Sequence, residues 1–171
     1  MHFQITKKMI DWLKPVLIEK NTDDDIYAWH VNFQYAAKKR FMVIMHDLTR
    51  FCVVLYGMNK KDMMDGDYFI FNAIYHVMLR QGYDDDLVKK YLNSVPTHIT
   101  YGKTKNKVSV GRLNIIMDYA LSIASEEGLD FNQPEQIHIS TKLNTFIYAE
   151  DKTYKHAFYP HEKMLEYLKL I

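Results

Sequence analysis

"YAWHVNFQY", residues 27–35, alternates without a break. Tyr27, Trp29, Val31, Phe33 and Tyr35 fall on one face of an extended chain, and Ala28, His30, Asn32 and Gln34 on the other. Two apolar runs follow at once, "FMVIM" (41–45) and "FCVVLY" (51–56). They are apolar at every position, as strands covered on both faces are. "AKKR" (37–40) and "HDLTR" (46–50) supply the intervening turns. Three consecutive strands predict an antiparallel meander over 27–56, and helices must cover it. The fold class read from this stretch is α+β.

The rest of the chain supplies those helices. Upstream, Phe3 and Ile5 mark a short strand in residues 2–6, and Thr6 can cap a helix holding Met9, Ile10 and Leu13. Pro15 ends it, and "NTDDD" (21–25) reads as a loop. Downstream, residues 60–82 read as helix, with Gly82 as terminator. "DDD" (84–86) opens another, because carboxylates suit the free N–H groups of a helix start. Pro96 restarts the chain and "THITY" (97–101) reads as a strand. Val110, Leu113, Met117, Ala120, Leu121 and Ala124 form one stripe of a helix over 108–126. Beyond "EEGLDFNQP" (126–134), Asn132 and Pro134 suit the start of a helix through Leu143, although Ile137 and Ile139 leave a strand open. Pro160 opens a last helix in "YPHEKMLEYLKL" (159–170). Residues 1–171 are expected to form one domain, with 130–171 packing on the core as a C-terminal extension.

Composition narrows the function classes. The 22 basic and 21 acidic residues leave a net charge of +1, so nucleic-acid binding would need a local patch. Cys52 is the one cysteine, which excludes a disulfide within the chain and sets a reducing, cytoplasmic compartment as the expectation. No apolar run approaches the roughly 18 residues of a membrane span. The start of the chain has no signal-peptide pattern. Thirteen tyrosines and ten methionines suit a protein-contact surface.

Four constellations bear on chemistry. "KTKNKVSVGRLN" (103–114) places Lys103, Thr104, Lys105, Asn106, Lys107 and Arg112 around a helix start, where an anion or a partner could dock. The frame is not that of a phosphate-binding Walker loop, and Asn106 or Ser109 would serve equally as a plain cap. Asn72, His76 and Arg80, spaced by four, form a polar stripe on an otherwise apolar helix. That stripe is either a site with His76 as acid or base, or the solvent edge of a core helix. "HDLTR" offers His46, Asp47, Thr49 and Arg50 in one turn, where a proton-transfer pair can be drawn and where Asp and Thr also serve as ordinary turn residues. Eight histidines include no H-E-x-x-H and no partner cysteine pair, so no metal and no cofactor is expected. No serine-nucleophile frame occurs, and Cys52 sits within a strand.

Several pieces, in order, resemble a domain-of-unknown-function family found in bacteria and also on plasmids and phages. They are "ITKK" (5–8), "WHVN" (29–32), "RFMVIMHDLTRFCVVL" (40–55), "KTKNKVSVGRLN", "KLN" (142–144) and "FYPHEKMLEYL" (158–168). The resemblance implies an α+β domain without a catalytic assignment. It highlights Lys7, Trp29, Asn32, Thr49, Thr104, Asn106, Gly111 and Asn114. Asn32, His46, Thr49, His76 and Asn114 are the polar residues that could share one site.

The leading expectation is a protein-binding module without catalysis, encoded by a mobile element or phage and inhibiting a host defence protein, in the manner of an anti-CRISPR inhibitor. The alternative is a nucleic-acid-binding protein or ribonuclease that grips phosphate through 103–107.

Overall fold

The computed structural model describes residues 1–20, 25–95, 98–104, 107–149 and 155–171. Its elements run β1 (His2–Ile5), α1 (Lys7–Leu13), β2 (Ala28–Ala36), β3 (Lys39–His46), β4 (Cys52–Tyr56), α2 (Lys60–Met64), α3 (Asp67–Arg80), α4 (Asp85–Ser94), β5 (Thr100–Lys103), α5 (Lys107–Glu127), α6 (Ile137–Asn144) and α7 (Pro160–Lys169).

The expectation of an antiparallel meander is corrected here. The five strands form one mixed sheet in the order β4-β3-β2-β1-β5. β2, β3 and β4 are antiparallel neighbours, but β1 lies parallel to β2 and β5 parallel to β1. Helical crossovers carry the chain between the parallel strands, as that geometry requires.

Local signals account for the element ends. The Thr6 hydroxyl accepts from the Met9 N–H at 3.4 Å and so caps α1. Ala37 and Lys38, with φ of 43° and 68°, make a two-residue turn of the kind that matches strand twist. Asp84 accepts from the Leu87 N–H at 3.1 Å and starts α4. Residues 60–82 are two helices rather than one, and Gly66 is where they divide. A Cβ at Gly66 would lie 1.9 Å from the Asp62 carbonyl oxygen, so only glycine permits this close approach. The helix after Pro134 begins at Ile137 rather than at Asn132 or Pro134. Residues 134–136 instead run beside β4: Tyr56 N–H donates to the Pro134 carbonyl at 2.7 Å, and Gln136 N–H donates to the Val54 carbonyl at 2.9 Å.

Two cores flank the sheet. On one face Phe3, Ile5, Trp29, Val31, Phe33, Met42, Ile44, Val53 and Leu55 pack beneath α1, α2, α3, α4 and α7. On the other, Phe41, Val43, Met45, Cys52 and Val54 pack against Leu113, Met117 and Ala120 of α5 and Ile139 and Leu143 of α6. α6 also closes the rim of β4. Buried polar residues recur every four positions, at Gln136 just before it and at Ser140 and Asn144 within it, and the Ser140 hydroxyl accepts from the Val54 N–H at 2.9 Å. The opposite rim carries a short strap, where Ile18 N–H donates to the Tyr101 carbonyl at 2.7 Å. Both rims thereby lose donors and acceptors that would otherwise stay exposed.

Among the described residues no helix is long and apolar enough to cross a membrane. The C-terminal segment reaches the first core through Met164 and Leu168.

Candidate functional site

The α5 side of the sheet is half apolar and half polar. β3 and β4 fill their half with the second core, whereas β1, β2 and β5 present His2, Gln4, His30, Asn32 and Thr100 on that side. His2, Gln4 and His30 are at most 2 % exposed. Buried polar groups need partners: His2 Nδ1 lies 2.8 Å from Thr100 Oγ1, and Gln4 and His30 turn to Asp47. His30 Nε2 lies 2.8 Å from Asp47 Oδ1, Gln4 Nε2 donates to Asp47 Oδ2 at 3.3 Å, and Arg50 Nη1 reaches Asp47 Oδ1 at 3.4 Å. Arg50 holds φ of +60° and also donates to the Asp47 carbonyl. His30 Nδ1 has no hydrogen-bond partner among the described residues. A histidine–aspartate pair can relay a proton, but His30 is fully enclosed, and the network's evident work is to tie the β3–β4 turn to β1 and β2. Beside it lies a cavity of about 270 Å³ lined by His2, Gln4, Ile18, Lys20, Gly102 and Lys103.

A different surface gathers charge. β2 continues five residues beyond its pairing with β1, so the β2–β3 hairpin projects past the end of β1 and β5. α1 starts at that end, and so does α5, whose Asn114 accepts from Asn32 Nδ2 at 3.1 Å. Exposed Lys7, Lys8, Lys38, Lys39, Lys103 and Lys107 and half-buried Arg40 therefore share one pole. Lys7 is partly neutralised by Asp11 at 2.8 Å. Aromatic rings lie among the cations. Lys8 Nζ donates to the Phe33 carbonyl at 3.1 Å and lies 4.4 Å from the Phe33 ring centre, and the Arg40 guanidinium lies 4.0 Å from the Trp12 ring centre. Tyr35 stands at the outer edge of this group, 60 % exposed.

The residues singled out in the sequence separate into groups. Lys103 and Lys107 are exposed at the pole, Thr104 is half-buried with its N–H on the Ile5 carbonyl at 3.3 Å, and Arg112 is half-buried on α5. Lys105 and Asn106 lie outside the described residues. Asn32 and Asn114 meet, and Thr6 Oγ1 donates to Asn32 Oδ1 at 2.9 Å. His46 and Thr49 meet elsewhere, under α7. His46 Nδ1 accepts from the Thr49 N–H at 3.2 Å, Nε2 donates to the Ile26 carbonyl at 2.9 Å, and the ring stands edge-on to Trp29. Burial lowers the His46 pKa to about 4, so the ring is neutral and both nitrogens are engaged. Burial also pushes the Cys52 thiol up, away from a reactive thiolate. His76 stands apart on the exposed side of α3, 3.9 Å from Glu135. The five polar residues do not form one pocket.

Sequence reading passed over Gln4 and the His30–Asp47 link, and it passed over Gln136, Ser140 and Asn144. The last three carried a signal in their spacing of four, which a helix places on one face.

A family model described as "Domain of unknown function (DUF6933)" matches residues 2–163. Comparison with the curated proteins and with the solved structures finds no match to the chain.

Proposed function

The chain belongs to the DUF6933 family of domains of unknown function, and from its own surface chemistry we propose that it is a binding module for nucleic acid. One observation carries this reading: Lys7, Lys8, Lys38, Lys39, Arg40, Lys103 and Lys107, distant in sequence, all lie toward one end of the sheet in a nearly neutral chain. A local cluster of this kind is the electrostatic footprint of phosphate-backbone binding. Binding without strand cleavage fits the histidines. His46 is enclosed with both nitrogens bonded, and His76 is on a different element from every residue of the pole.

The test is fluorescence anisotropy with labelled RNA and DNA of mixed sequence across a salt series. Log affinity should fall linearly with log salt. Lys38→Glu with Lys39→Glu should weaken binding to all sequences, and each lost phosphate contact should lower the slope by about one. No binding at low salt, or affinity indifferent to salt, ends this reading.

A second reading has its own observation. On α5, Val108, Ile115 and Tyr119 recur at helical spacing and are each more than half exposed. Tyr119 meets the Phe146 ring edge-on at 6.0 Å, and Ile147, 58 % exposed, extends the strip. In this reading the strip docks a protein partner, and the chain is a mobile-element or phage inhibitor of a host defence protein. Ile115→Glu would abolish capture of that protein while leaving nucleic-acid affinity intact. Equal loss of both, with the fold intact, would dismiss it.

A further inference from the structure

Resting on the nucleic-acid reading, we infer that the pole takes a single strand rather than a duplex, with the Tyr35 ring as the platform on which an unpaired base stacks. Tyr35 ends the row Trp29, Val31, Phe33, Tyr35 on the face that α1 covers. Trp12 of α1 packs edge-on against Phe33 at 5.2 Å. Tyr35 is the next ring out. It stands perpendicular to Phe33, with ring centres 5.7 Å apart, and more than half of it is exposed.

Two cations lie over it, toward the α1 side. Arg40 is its partner in register across the hairpin, with the guanidinium 5.7 Å from the Tyr35 ring centre. Lys8 Nζ, anchored on the Phe33 carbonyl, is also 5.7 Å from that centre. A ring with cations on one side, more than half exposed, joins a stacking surface to charges that can reach neighbouring phosphates, the pairing by which single strands are gripped without sequence preference.

A duplex fits less well. Its base faces are hidden, so Tyr35 would have nothing to stack on. A two-stranded ribbon can enter a major groove, but this one carries α1 against one side and α5 against the other. The Arg40 guanidinium itself lies 4.0 Å from the Trp12 ring centre of α1, so the helix flanks the ribbon nearly to its tip.

The experiment compares labelled single-stranded DNA and RNA with matched duplexes at one salt concentration. It uses the full chain, Tyr35→Ala, Tyr35→Phe and Lys38→Gln. Tyr35 is exposed, so its variants should melt as the parent does, and thermal melting checks this. Single strands should bind more tightly than duplexes. Tyr35→Ala should weaken single-strand binding roughly ten- to a hundredfold, the span of one base–ring stack. The salt slope should stay unchanged in that variant, Tyr35→Phe should restore affinity, and Lys38→Gln should lower the slope with strand preference intact. Equal affinity for duplexes together with a silent Tyr35→Ala overturns the stacking platform and leaves the charged pole standing. Absence of any binding at low salt removes the nucleic-acid reading itself, and this inference with it.

Discussion

The side-chain amide of Asn144 bonds in both directions to the backbone of Cys52. Its Oδ1 accepts from the Cys52 N–H at 2.7 Å and its Nδ2 donates to the Cys52 carbonyl at 3.0 Å. A residue of α6 thus does for β4 what a residue of a neighbouring strand would do. Both groups are buried, so each would cost free energy if left unpaired.

Asn144→Ala should therefore destabilise the fold by about 2–4 kcal/mol, since two buried backbone groups lose partners at once. Asn144→Asp keeps an acceptor but strands the Cys52 carbonyl and buries a carboxylate, so it should be no better. Urea-denaturation midpoints of the parent and both variants decide this. A loss under about 0.5 kcal/mol for Asn144→Ala would mean that the contact carries no weight.

His46 should make stability depend on pH in a defined window. Its folded pKa, lowered by burial to about 4, lies below the ordinary 6.5. Between those values the unfolded chain binds a proton that the folded chain refuses. Stability is complete above about 6.5, declines as pH falls toward about 4, and loses about 3 kcal/mol across that range from this group. His46→Gln should start less stable, with a shallower pH dependence between those limits. An unchanged pH profile would show that His46 is not the group responsible.

Gly102 should tolerate no side chain. A Cβ there would lie 2.6 Å from His2 Nε2 and 2.9 Å from the Ile18 carbonyl oxygen. The imidazole can turn aside, but the backbone of the strap at 17–18 must move. Gly102→Ala should cost about 1–3 kcal/mol and speed amide exchange at Ile18, whose N–H bonds to Tyr101. Hydrogen exchange on the variant reads both, and unaltered protection at Ile18 counts against the contact.

Asp47→Ala should be the most disruptive of these changes. It removes the acceptor shared by Gln4, His30 and Arg50 and leaves the Arg50 guanidinium buried beside one fewer anion. A loss of about 3–5 kcal/mol follows from stranding such a charge. Asp47→Asn, which keeps acceptor oxygen at the same place, should recover part of it. Equal losses for the two variants would mean that the negative charge, rather than the acceptor position, is what matters.

How much of this was legible in the sequence follows from what is local and what is not. The strands over 27–56 were legible because alternation and apolar runs are properties of adjacent residues. The parallel pairing of "HFQI" with "TYGK" was not, because nothing near either stretch says which strand will lie beside it. Gly66 looked like an interior residue of one helix, since its conflict is with a carbonyl whose position only the folded turn fixes. The basic runs at 38–40 and 103–107 were visible, but where Lys38, Lys39 and Lys103 stand relative to one another depends on sheet register. Ser140 and Asn144 showed a polar spacing of four whose purpose required knowing that β4 would lie at a rim, whereas the Gln136 side chain bonds the loop at 130–133.

The occupied rims have a consequence for how this chain behaves when crowded. A mixed sheet with an open border can template another molecule's strand and grow into fibrils. Here the amide and hydroxyl groups of α6 sit on one border, and the strap at 17–18 covers part of the other. Variants that free either border should pass from clear solution to thioflavin-positive assemblies at concentrations where the parent stays dispersed.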